Sequence, residues 1–92
     1  MKKITDKLEE ISRSAKDPNA AAETVEAIRH LKTLVNEHKV SEPVAKELLE
    51  RLNGELDVWQ AKSSVILKEP AGREGMAKHA KHWVDELRKI NG

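Results

Sequence analysis

Apolar residues recur along this chain at spacings of three and four, the period of an amphipathic helix, and nowhere alternate long enough to predict a strand. Met1, Ile4, Leu8, Ile11 and Ala15 form the first such stripe and predict a helix over 3–16. Ala21, Val25, Ile28, Leu31 or Leu34, and Val35 predict a second over 18–38. A third is predicted over 42–66, from Val44 or Ala45 through Leu48, Leu52, Leu56 (or Glu55), Trp59 and Ser63 to Ile66. Met76, Ala80, Trp83, Leu87 and Ile90 predict the fourth over 73–90.

The punctuation between these stripes agrees with them. Asp17-Pro18 ends the first helix and opens the second, with Asp17 as N-cap and Pro18 in the first helical position. Ser41-Glu42-Pro43 restarts the chain, and Ser41 is the expected N-cap of the third helix. Gly54 falls inside that helix, where glycine costs about 1 kcal/mol relative to alanine. The apolar spacing keeps its phase across Gly54, so a continuous helix is expected. Lys68-Glu69-Pro70-Ala71-Gly72 reads as a loop, and Asn91-Gly92 as the stop of the last helix.

Four amphipathic helices with short connections predict an all-α fold, a small antiparallel helical bundle forming a single domain over 1–92. The first helix is the shortest, and it is expected to pack across one end of the bundle or against a second copy. Only 25 residues are apolar and larger than alanine. A core of that size has little stability to spare, which favours a dimer.

Composition narrows the chemistry. The chain has 92 residues, 36% of them charged, with no cysteine, phenylalanine or tyrosine and only two tryptophans. Disulfides, thiolate metal sites and cysteine nucleophiles are thereby excluded. No apolar run is long enough to span a membrane. Met1-Lys2-Lys3 is followed at once by Asp6, Lys7, Glu9 and Glu10, so no apolar export segment is read there and a cytoplasmic protein is expected. The net charge of +1 is unevenly spread. Residues 1–16 carry five basic and three acidic groups, 17–60 carry five and nine, and 61–92 carry seven and four.

The candidate catalytic and metal patterns are each incomplete. His79 and His82 share a helix face, as do His30 and His38, but no Glu-x-x-His pattern of a bundle metal site accompanies them. Glu23/Glu26 and Glu47/Glu50 are two Glu-x-x-Glu pairs. A magnesium site combining Glu-x-x-Glu with Glu-x-x-Asp lacks its second half. Gly72-Arg73-Glu74-Gly75 precedes a helix but has neither the ending nor the preceding strand of a phosphate loop. No enzyme, metal or cofactor is expected.

Surface binding remains. Trp59 and Trp83 lie in apolar stripes, which reads first as core; Val58 and Val84 widen those stripes, and extra width left exposed would make the tryptophans anchors of a dimer or partner patch. Lys78, Lys81, His82 and Arg88, with Lys89 nearby, place positive charge on the last helix. The expected function is a non-enzymatic protein–protein interaction module, an adaptor, inhibitor or subunit, that uses an apolar helix face rimmed with charge. Its partner is another protein, a second copy included. The alternative is a small nucleic-acid-associated regulator working through the basic face of the last helix. The near-neutral total charge and the scarcity of aromatic stacking platforms weigh against that alternative.

Overall fold

A computed structural model describes residues 1–91, and every predicted apolar stripe in it becomes a helix. The helices are α1 (Lys2–Ser14), α2 (Ala21–Glu37), α3 (Pro43–Ile66) and α4 (Pro70–Asn91). One 3₁₀ turn, Pro18–Ala20, leads into α2. The expected stop at Asn91-Gly92 runs into Gly92, which lies outside the described residues.

Proline sets three of the boundaries. Asp17 caps the turn before α2, its carboxylate accepting the Asn19 N–H at 2.9 Å. At α3 the cap is Glu42, not the expected Ser41. The Glu42 carboxylate accepts from the Val44 N–H at 3.1 Å and the Ala45 N–H at 2.8 Å. Pro43 forces the residue before it into extended geometry, so the cap position falls on Glu42, and a glutamate is long enough to reach back.

The expected loop over 68–72 is also shorter than the sequence suggests. Helix α4 begins at Pro70, and the Arg73 N–H already donates to the Glu69 carbonyl at 3.0 Å. The Arg73 guanidinium donates to the Leu67 and Lys68 carbonyls at 3.1 and 3.3 Å, covering the end of α3. Gly72 lies so close to α3 that a Cβ there would stand 2.1 Å from the Ile66 carbonyl oxygen. The turn is tight because that position has no side chain.

The helices close into an antiparallel ring in which each packs on its two neighbours, and α1 packs most extensively on α4. Lys16 lies beside Arg73, and Glu9 meets Arg88, so α1 and α4 run in opposite directions. The first helix neither crosses an end of the bundle nor leaves its stripe for a second copy. It lies lengthwise between α2 and α4, because Ile4, Leu8 and Ile11 are covered only when both flank it. One continuous core results, centred on Leu8, Ile28, Leu31, Leu52, Leu56 and Leu87. Burying each such side chain contributes about 1.5–3 kcal/mol. In α3 the core takes Ala45 and Leu49, while Val44 stays exposed and Leu48 is half-buried. In α2 it takes Leu31 over Leu34, together with Thr24 and Ala27.

Side-chain contacts tie each neighbouring pair. Thr24 Oγ1 lies 2.7 Å from Ser14 Oγ between α2 and α1, and it also donates to the Ala20 carbonyl at 2.9 Å. Lys32 donates to Asp57 between α2 and α3, and Arg88 donates to Glu9 between α4 and α1. Glu55 joins α3 to α4, accepting from Trp83 Nε1 at 2.7 Å. No helix among the described residues is long and apolar enough to cross a membrane.

The glycines separate two roles. A Cβ at Gly54 would meet nothing within 4 Å, and α3 runs through it unbroken. Gly54→Ala is therefore expected to raise stability by about 0.5–1 kcal/mol in urea unfolding. Gly72→Ala must displace backbone, and a loss of about 1–3 kcal/mol is expected in the same measurement.

Candidate functional site

Ring closure decides which of the expected binding residues face solvent. Trp59 and Trp83 are core residues, 5% and 8% exposed, and Val84 is fully buried. A Trp-centred patch is thus not on the surface of this chain. Each indole falls on the inner stripe of its helix and belongs to the continuous core. The Trp83 N–H donates to the Glu55 carboxylate. The other Glu55 oxygen lies 2.8 Å from His79 Nδ1. Glu55 is the residue that sequence reasoning set aside in favour of Leu56. Its signal was its place on the flank of the apolar stripe, where a carboxylate can meet a buried indole.

Lys78, Lys81, His82 and Arg88 are all exposed on α4. Arg88 is engaged by Glu9, and His82 lies 3.7 Å from Glu86, which Lys89 also approaches at 3.4 Å. Lys78 and Lys81 stand without a carboxylate at salt-bridge distance among the described residues. Among those residues no group of three or more histidines and carboxylates is placed to hold a metal ion.

A groove of about 580 Å³ opens where α2 meets α3, lined by Val35, His38, Val40, Lys46, Leu49 and Asn53. The Asn53 Oδ1 atom is buried there without a hydrogen-bond partner. Burial, and then the nearby Met1 ammonium, hold the His38 imidazole below its ordinary value of 6.5. Lys39 and Glu50 also line the groove, which among the described residues holds no group of three or more histidines and carboxylates.

The apolar surface lies elsewhere. Among the described residues, the large hydrophobic side chains left exposed are Val44 at 57%, Val58 at 50% and Val65 at 68%, and all three belong to α3. Gly54, Val58, Ala61 and Val65 follow one another at spacings of four, three and four and are exposed. They form a second stripe on the side of α3 opposite Leu52, Leu56 and Trp59. Exposed Glu47, Glu50, Arg51 and Lys62 border it, with Arg51 3.3 Å from Glu47. Sequence reasoning assigned Val58 to the Trp59 stripe. The 4-3-4 repeat beginning at Gly54 was the available signal of a separate face.

Comparison of the chain with protein-family models, with curated proteins and with solved structures yields no match.

Two outcomes follow from this geometry. Glu55→Ala leaves the buried Trp83 N–H without an acceptor, and a loss of about 1–3 kcal/mol is expected in urea titrations followed by Trp fluorescence. Glu55→Gln keeps an acceptor and should lose less. For His38, the folded state resists protonation relative to the unfolded chain. Its contribution is complete above pH 6.5 and is lost as pH falls through 6.5 toward the lowered folded value. The melting temperature should therefore fall less between about pH 7.5 and 5 in His38→Asn than in the parent.

Proposed function

We propose that this chain is a non-enzymatic protein-binding module that docks its partner on the outer face of α3. The observation that carries the reading is the concentration of Val44, Val58 and Val65, exposed, on one helix that already buries its other side. Three large side chains left in water on one face cost hydrophobic free energy that a partner would recover. Glu50 and Lys62 flank Val58 and Val65 as the polar rim of a protein interface would, and the Glu47–Arg51 pair stands between them and Val44. The cysteine-free, charge-rich composition supports placing the module in the cytoplasm.

A second reading has an observation of its own. The ring sets α1 beside α4, so the basic segments 1–16 and 61–92 share one side of the bundle, with Lys78 and Lys81 outermost and unpaired among the described residues. That arrangement supports phosphate contact with a nucleic acid. Glu74 and Asp85 interrupt it, which ranks it second.

The leading reading is tested with Val58→Glu/Val65→Glu. Both positions are at least half exposed, so the melting temperature should stay within a few degrees of the parent. Proteins retained by the immobilised parent from lysate of the source cell should be lost by the double variant. Retention of the same proteins by both would refute the assignment of α3. Salt-sensitive retention of DNA that disappears in Lys78→Glu/Lys81→Glu would transfer the function to the second reading.

A further inference from the structure

We propose that His79 and His82 of α4 form a two-imidazole surface site for a copper(II) ion, with Glu55 of α3 as the residue that orients His79. The two histidines are three residues apart on one helix, so they share a face with about 5–6 Å between their Cβ atoms. That separation lets a ring nitrogen from each close on a single ion, and both side chains are exposed. His30 and His38 also share a face, but they stand eight residues, or about 12 Å, apart and cannot close on one ion.

Glu55 is the independent sign, because it decides which nitrogen His79 offers. A carboxylate only accepts, so the Glu55 oxygen 2.8 Å from His79 Nδ1 places the proton on Nδ1. The lone pair is then on Nε2, on the far side of the ring from Glu55. Glu55 is itself fixed, since its other oxygen accepts the Trp83 N–H at 2.7 Å. A carboxylate behind the imidazole is the arrangement that sets ring orientation and tautomer in metal-binding histidines. The orienting carboxylate comes from a different helix, so no short sequence motif records it.

The donor set selects the ion. A tetrahedral zinc site calls for further protein ligands, and among the described residues no group of three or more is placed to supply them. Two imidazoles with water in the remaining positions suit the tetragonal nitrogen and oxygen preference of copper(II), which also stands highest in the divalent affinity order. The Glu86 carboxylate, 3.7 Å from His82 Nε2, continues the row and adds negative charge, partly offset by Lys89 at 3.4 Å from its other oxygen. Lys78 and Lys81 lie to the sides of the row formed by positions 79, 82 and 86.

The test is titration of the purified full chain with copper(II) chloride at about pH 7.5, followed by Trp fluorescence and electron paramagnetic resonance. The ring centroids of His82 and Trp83 are 6.5 Å apart, so a paramagnetic ion held by His82 should quench Trp83. One ion per chain is expected, with two nitrogen donors in an axial spectrum. His79→Ala and His82→Ala should each weaken binding at least about tenfold and remove one nitrogen donor, because either alone loses the chelate. Both positions are exposed, so these variants should keep the parent's melting temperature. His30→Ala/His38→Ala should leave affinity and spectrum unchanged. Glu55→Gln removes the charge behind His79 and should lose about 10–100-fold in affinity, measured under conditions where urea unfolding shows the variant folded. Unchanged affinity in His79→Ala or in His82→Ala, or binding lost in His30→Ala/His38→Ala, would reduce the finding to an adventitious ion only and overturn the site. Unchanged affinity in Glu55→Gln would overturn the orienting role of Glu55.

Discussion

The contact between α1 and α4 is the constraint on which the molecule depends. Helix α1 has thirteen residues and one narrow apolar stripe, too little to stand on α2 alone. Its burial needs α4, which arrives last in the chain, and the Arg88–Glu9 tie at this seam spans 79 residues. Until the seam closes, Ile4, Leu8 and Ile11 have no second wall and the inner stripe of α4 is open. Once it closes, the core is continuous and both tryptophans are covered. The same closure sorts the charge, because the two basic ends of the chain become neighbours and the acidic middle forms the opposite side.

Hydrophobic burial alone would let these helices slide, since it is proportional to area and indifferent to direction. The polar contacts at each seam of the ring add direction. The exposed ion pairs contribute little energy, commonly under about 1 kcal/mol each. The Glu55–Trp83 bond does more, because it pairs the indole N–H of a core residue with a charged acceptor. Glu55 and Asp57 are only two residues apart, yet they reach α4 and α2 respectively, from opposite flanks of α3. Held from both sides, α3 turns its remaining face outward in a fixed orientation.

This account also explains why α3 reads ambiguously in sequence. It carries two stripes, one inward and one outward, so its apolar residues spread around the cylinder instead of clustering on one side. The periodicity that identifies the inner stripe through Leu52, Leu56 and Trp59 also admits Val44 and Leu48, and only the neighbours select Ala45 and Leu49. Val58 beside Trp59 looked like a widening of the core stripe, yet it points away from it. Gly54 belongs to the same outward face, where a Cβ would meet nothing within 4 Å.

The amino-acid sequence by itself determined the number of helices, the phase of their inner stripes, the continuity of α3 through Gly54 and the cap at Asp17, because these depend on spacing and local backbone preference. The start of α4 at Pro70 and the cap at Glu42 follow the same proline rule and were legible in principle. What only the tertiary structure decided was which second neighbour each helix would have. That choice placed α1 lengthwise in the ring, buried Trp59, Trp83 and Val84, paired Glu55 with Trp83, and left the valines of α3 outside. Helical periodicity reports that a side chain shares a face with others of its kind. Whether that face meets protein or water depends on contacts between residues far apart in the chain, and these exist only once the ring has closed.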